Sequence, residues 1–323
     1  MSTSFAAINH LPAGFQLGDF TLITPIGYGG RSHVYLALPP GGGTKIRRWA
    51  AARLSVSRPT PELAQRWQLA AIKIAGPAAI GDLYDEHTVL HRVPHACAAG
   101  TVALYRRRYP RPGRDIAITA INGASLHWLA LEYVAGPSLA EILNRRTGQL
   151  DAQKAIAVIA QLACTIDQLH QHMRLAHLDL KPANIILRGG DWSKPVLIDF
   201  GTSQNLGALQ RKSIYGTERY IAPERLRGAA PSPAADIYAL GVILSELLDA
   251  DAPTAAHELA AAARTLNPTQ RVAAIAAPPN STSNSGPYWS RDNLIGRKGD
   301  VSCMSNVSKD VSCHATSSQS LCF

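Results

Sequence analysis

Residues His177 to Leu187, HLDLKPANIIL, followed by Ile198 to Gly201, IDFG, constrain this chain more than any other stretch of its 323 residues. A lysine follows Asp179 by two positions and an asparagine by five, and a second aspartate, Asp199, lies twenty positions after the first. Phosphoryl transfer from ATP needs such a set. One carboxylate orients the attacking hydroxyl and takes its proton, and a cation meets the charge on the moving phosphoryl group. A carboxylate and an amide oxygen hold Mg²⁺. Asp179, Lys181, Asn184 and Asp199 fit those roles in that order.

These loops resemble those of the serine/threonine protein kinases, in particular the bacterial kinases related to the eukaryotic family, and further marks stand in the family's order over residues 20 to 275. The resemblance implies an α+β, two-lobed fold, with a small antiparallel β-sheet lobe carrying one helix and a larger, mainly helical lobe. ATP and Mg²⁺ (or Mn²⁺) would lie between them. The implied reaction is transfer of the γ-phosphate to Ser or Thr hydroxyls of protein substrates, in bacterial signalling. The expected organisation is an extension over 1–18, a kinase domain over 19–277 with its N-lobe at 19–131, hinge at 132–136 and a compact C-lobe at 137–277, and a tail over 278–323.

The glycine-rich stretch Ile26-Gly27-Tyr28-Gly29-Gly30-Arg31-Ser32-His33-Val34-Tyr35 lies between two strand-like runs, Phe20 to Ile26 and Val34 to Leu38. On the residues alone it is a hairpin turn. Through the resemblance it is a phosphate-covering loop whose bare backbone lies close over the nucleotide, with Ser32 where the family has its third glycine. Lys73, inside the strand-like Leu69 to Ile74, matches the lysine that pairs with the α- and β-phosphates. Glu86, on a helix-like segment with Leu90 and Val93 and with His95 beyond it, matches the glutamate that orients that lysine. The ATP-binding set implied is Ile26, Gly27, Gly29, Ser32, Val34, Ala71, Lys73, Leu131, Glu132, Val134, Asn184 and Asp199, and the metal ligands are Asn184 and Asp199.

Leu131 to Gly136 resembles the hinge, with Leu131 as gatekeeper and backbone groups of Glu132 and Val134 for the adenine edge. Ser138 and Glu141 form a capping box that starts the next helix. Gly216-Thr217 and Ala222-Pro223-Glu224 resemble the end of the activation segment, which implies that the Thr217 hydroxyl lies near Asp179 and Lys181. Ser232-Pro233 reads as an N-cap with proline at the first helical position, opening the apolar helix of Asp236. In the family that aspartate braces the catalytic loop, and Arg271 pairs with Glu224. With His177 these residues are structural.

A chain of 323 residues with 46% hydrophobic residues allows one two-lobed domain with extras. No leader pattern and no long apolar run is present, so a cytoplasmic location is expected. The five cysteines suggest no disulfide framework, and Cys303, Cys313, His314 and Cys322 fit no compact zinc spacing. Up to Ser125 fourteen Lys and Arg face six Asp and Glu, concentrated in Pro39 to Gln68 and around Arg106 to Arg114. These read as basic insertions, either solvated loops or a docking patch for an acidic partner, a membrane surface or nucleic acid.

Two departures from the family pattern bear on mechanism. Leu178 stands where the family has an arginine that receives an activation-segment phosphate, so control by that phosphate is not expected. Glu224 and Arg271 are only 47 positions apart, which points to a reduced set of C-lobe helices. The competing readings are a pseudokinase scaffold, against which Lys73, Glu86, Asp179, Asn184 and Asp199 stand complete, and a small-molecule phosphotransferase of similar fold, which would lack the Gly216-Thr217 and Ala222-Pro223-Glu224 marks.

Overall fold

The computed structural model describes residues 11–29, 31–41, 58–93, 100–105, 116–121, 124–146, 150–208 and 217–271. Expectations placed on Gly30, Lys45 to Arg53, His95, Cys97, Arg106 to Arg114, Gly216 and the tail from Pro278 lie outside those residues.

Six strands make one antiparallel sheet in the order β1-β2-β3-β4-β6-β5, from β1 Gln16–Leu17, β2 Phe20–Tyr28, β3 Ser32–Leu38, β4 Ala70–Ala75, β5 Ile116–Ile121 and β6 Ala124–Glu132. β2 and β3 run further toward the glycines than the apolar pattern alone predicts, because their ladder continues through Gly27 opposite Val34 and Tyr28 opposite His33. Pro25 is tolerated inside β2 because it sits at a break in register between Pro25 and Gly27, where an N–H is not required by the ladder.

β4 is buried at all six positions, as a central strand should be. Its two-residue period puts Ala70, Ile72 and Ile74 on one face, packed with Phe20, Tyr35 and Trp128, and Ala71, Lys73 and Ala75 on the other. Ala71 and Ala75 join a second core with Leu129, Leu131, Leu83 and Leu90, and that core continues into the helical lobe. Lys73 is thus placed by strand alternation on the face toward the second lobe.

Helix α1, Pro61–Trp67, forms at the end of the first basic stretch, where Thr60 caps it and Ala64 packs with Leu36, Leu38 and Leu69. Arg58 just before it donates to both oxygens of Glu141, at 2.7 and 2.8 Å. That arginine is therefore a tie between segments 83 positions apart, not part of a solvated loop. Helix α2, Ile80–Arg92, buries Leu83, Glu86, Val89 and Leu90, one stripe at helical spacing in which Glu86 is the single charge.

The helical lobe begins with α3, Leu139–Asn144, opened by the expected capping box of Ser138 and Glu141. α4, Ala152–Met173, is followed by β7 Leu175–Ala176, the hairpin of β8 Ile185–Leu187 and β9 Pro195–Leu197, and β10 Gln204–Asn205, which pairs with β7. The short α5, Pro223–Leu226, precedes α6, Pro233–Leu247, and α7, Thr254–Ala263. Ser232 occupies the N-cap of α6 with Pro233 at its start, yet the Ser232 hydroxyl makes no capping bond. Among the described residues only α7 lies between α6 and the helical turn that starts at Pro268 and carries Arg271, matching the short spacing. It packs so closely that a Cβ on Gly241 would meet the Ala263 Cβ at 2.6 Å.

The lobes join at Gly136, whose φ is +150°. A Cβ there would fall 1.8 Å from the Leu187 carbonyl oxygen, beside the Gly189 N–H that donates to Ala135. Both the backbone angle and the missing side chain are needed. Gly136→Ala is expected to destabilise the protein by about 2 kcal/mol. The check is a shift in the midpoint of chemical denaturation, and an unchanged midpoint would mean that the hinge yields freely.

Candidate active site

The β8–β9 hairpin explains why residues fifteen positions apart share a site. Ile185 pairs with Leu197, and the Ile198 N–H donates to the Asn184 carbonyl at 3.0 Å, so Asn184 and Asp199 leave the same end of the hairpin. Between β7 and the hairpin the chain carries His177 to Lys181. His177 and Leu178 both donate backbone N–H groups to Asp236, at 2.9 Å each, and the His170 ring meets the same carboxylate at 2.8 Å. Leu178 has φ +67°, a left-handed conformation uncommon for a branched residue. The two bonds from Asp236 hold it there. Burial opposes the charge on Asp236, but the histidine and these N–H groups outweigh it, and its carboxyl stays below its ordinary range.

Asp179, so positioned, is buried, and its Oδ2 accepts from Lys181 Nζ at 2.7 Å and from Asn184 Nδ2 at 2.9 Å. Asn184 Nδ2 also donates to the Asp179 carbonyl at 2.9 Å, which turns the amide oxygen the other way. Across the cleft Lys73 Nζ lies 2.6 Å from Glu86 Oε2 and 2.7 Å from Asp199 Oδ1. Burial disfavours the lysine charge, yet the two carboxylates override it and hold the pKa above the ordinary lysine value. For Asp199 burial also works against the charge, and Lys73 more than compensates, pushing the carboxyl down to about 2. Glu86 is fully buried, and its second oxygen accepts the Phe200 N–H at 3.1 Å. This last bond ties α2 to the Asp-Phe-Gly turn, where Asp199 has φ +64°.

Arg31, from the turn between β2 and β3, pairs with Asp82 on α2 and donates to the Ala78 carbonyl. Gly27 and Gly29 take no positive φ, and a Cβ on either would find only ordinary contacts. Neither backbone angle nor crowding demands glycine at these two positions. Ser32 starts β3, its carbonyl accepting the Gly29 N–H at 2.9 Å.

An apolar slot lies next to these polar groups. Ala71 and Leu131 belong to its buried wall, and Ile26, Val34, Ile186 and Ile198 pack on the same core while keeping part of their surface open. Ile186 and Ile198 were not singled out by sequence reasoning. The signal for Ile186 was the alternation of β8, which buries Ile185 and Leu187 and turns Ile186 the other way. At the slot's edge the Glu132 N–H is taken by the Ala103 carbonyl, and its carboxylate pairs with Arg188. Among the described residues the Val134 N–H has no backbone partner.

Thr217 is exposed, and among the described residues no hydrogen bond joins its hydroxyl to Asp179 or Lys181. Arg271 and Glu224 are paired and buried, at 2.7 Å. No group of three or more His, Cys, Asp or Glu able to hold a metal occurs among the described residues, and no helix there is long and apolar enough to cross a membrane.

The family description "Protein kinase domain" matches residues 84–301, about two thirds of the sequence. This chain belongs to the protein kinase family. The matched span begins inside α2, so the glycine-rich turn and Lys73 are joined to the kinase site by geometry rather than by that match. The kinase is similar to curated relatives described as serine/threonine-protein kinases. It is 29% identical over 238 residues to drp72 of Corynebacterium efficiens, covering 73% of this chain and 39% of that protein. To PknD of Mycobacterium tuberculosis it is 28% identical over 243 residues, covering 74% of this chain and 31% of the relative. A shorter segment of 119 residues, 36% of this chain and 10% of the relative, is 38% identical to PknK of the same organism. The chain therefore spans no more than about two fifths of the length of these relatives.

Proposed function

We propose that this protein is a serine/threonine protein kinase that transfers the γ-phosphate of Mg-ATP to Ser or Thr hydroxyls of protein substrates. The observation that carries the reading is the arrangement of Asp179. One oxygen is occupied by Lys181 and Asn184, and Oδ1, without a partner among the described residues, is left to orient a substrate hydroxyl and accept its proton. Lys181, already beside that carboxylate, supplies positive charge where the phosphoryl group would move.

The remaining residues bind and orient the nucleotide. The apolar slot of Ile26, Val34, Ala71, Leu131, Ile186 and Ile198 suits a purine ring, with the Val134 N–H at its edge. Lys73, kept charged and held by Glu86, suits the α- and β-phosphates. The donor set also fits a small divalent cation, since Asn184 turns an amide oxygen outward and Asp199 remains ionised through the whole working pH range. Two protein oxygens fall short of a complete cage, as expected for Mg²⁺ bound jointly with phosphates and water. When bound, the ion would neutralise charge on the phosphates. The compartment that supplies ATP is the cytoplasm, and we place the reaction there.

The test is incubation of the purified protein with γ-labelled ATP, a divalent metal and a mixture of generic protein substrates, followed by phosphoamino-acid analysis. Label on serine or threonine, dependent on added Mg²⁺, is the expected result. Nucleotide binding with no transfer to any protein would sink the proposal.

A further inference from the structure

Beside the catalytic loop a groove of about 410 Å³ opens between α3, the turn at 218–220 and the end of α6. Leu143 and Asn144 form one side, and Pro182, three positions after Asp179, forms another, so a peptide presenting its hydroxyl to Asp179 runs past this groove. Its charged members are Arg219 and Glu246. The Glu246 carboxylate, a tenth exposed, already has two partners: Tyr220 donates its hydroxyl at 2.9 Å to Oε2, and Arg219 Nη1 lies 2.8 Å from Oε1. The Arg219 side chain is 67% exposed, and among the described residues its Nε and Nη2 have no hydrogen-bond partner. The charge of the acid is thus met inside the protein. What the groove offers to an incoming chain is a guanidinium fixed at one corner, with donors left over and apolar walls beside it.

From this we infer that the kinase selects acceptor peptides with an acidic side chain, a carboxylate or a phosphate, flanking the Ser or Thr, and that Arg219 is the residue that reads it. The inference rests on the proposed Ser/Thr transfer and adds the substrate class to it. A guanidinium already oriented by Glu246 loses little freedom on receiving an anion, and charge-assisted pairs of this kind are the stronger hydrogen bonds. A basic substrate side chain would instead meet the like charge of Arg219, beside an acid whose charge is already paired.

The experiment uses the full chain and a set of peptides with one serine in a neutral frame, with Glu, Arg or Ala placed in turn at each of four positions on either side. Glu at one or more of these positions is expected to raise kcat/KM about tenfold over Ala, in the range of a charge-assisted hydrogen bond, and Arg there to lower it. In Arg219→Gln the ratio of the acidic to the neutral peptide should fall to near one, and in Arg219→Lys part of it should return. A preference for Arg, no preference at all, or an acidic preference that survives in Arg219→Gln would each overturn the inference. If neither the neutral peptide nor a protein mixture accepts phosphate, the Ser/Thr-transfer reading itself falls, and that result is distinct from transfer without acidic preference.

Discussion

Asp179→Asn is expected to lower turnover by about 10²-fold or more while leaving ATP affinity within a few-fold of the parent protein. The substitution keeps the bonds from Lys181 and Asn184 close to their present geometry, but the amide cannot take up a proton. The proposed nucleotide contacts lie elsewhere, on Lys73 and the apolar slot. Asp199→Asn should behave differently. The carboxylate that Lys73 holds ionised would be gone, and the first loss should be metal-dependent nucleotide binding itself. Separate measurement of nucleotide affinity by calorimetry and of phosphoryl transfer by single-turnover kinetics distinguishes the two. Equal rates of transfer in both variants and the parent would remove Asp179 and Asp199 from the chemistry.

The largest loss of stability is expected at Arg271. Its side chain is fully buried, with Nη1 donating to Glu224 and to the Ala234 carbonyl at 2.7 Å each. Nη2 donates to Glu224 and, with Nε, to the Thr265 carbonyl, and the guanidinium stands 5.1 Å from the centre of the Tyr238 ring. Arg271→Ala leaves the Glu224 carboxylate buried without its counter-charge and strips the Thr265 carbonyl of its side-chain donors. A loss of about 3–5 kcal/mol follows, read as a fall in the midpoint of chemical denaturation. Glu224→Ala made together with Arg271→Ala should cost less than the sum of the two single changes, because the stranded charge is gone. A single-variant loss below about 1 kcal/mol would show that water or a neighbouring group reaches Glu224 readily.

The parts of the site legible in the sequence are those whose spacing is enforced locally. Asp179, Lys181 and Asn184 lie within six residues of one another, and the Ser138–Glu141 box is a rule about four consecutive positions. Lys73 and Glu86 were legible only through family resemblance, since neither a strand lysine nor a helix glutamate announces its partner. The ties that close the fold were not legible at all. Arg58 to Glu141, Arg31 to Asp82 and Arg219 to Glu246 each join segments distant in the chain, and local charge patterns do not say which cation meets which acid. Strand ends were misjudged for a related reason. The β2–β3 ladder runs through Gly27 and past Pro25 because hydrogen bonding to a neighbour overrides the weak preferences of single residues. Ile186 was overlooked because three apolar residues in a row hide the alternation that turns the middle one outward.

α6 has a consequence beyond its buried position. Asp236 near its start fixes the loop that carries the base, and Glu246 near its end fixes the turn that carries Arg219. Ten residues of helix separate them, about 15 Å of rigid rod. If Arg219 reads the substrate as inferred, the kinase gauges it with a ruler whose two marks are acids. Inserting one residue between the marks would rotate Glu246 by about 100° about the helix axis while leaving Asp236 where it is. The same turn would swing the buried Ile243, Leu244 and Leu247 out of the core, so the spacing of the two marks is locked by the packing that holds the lobe together.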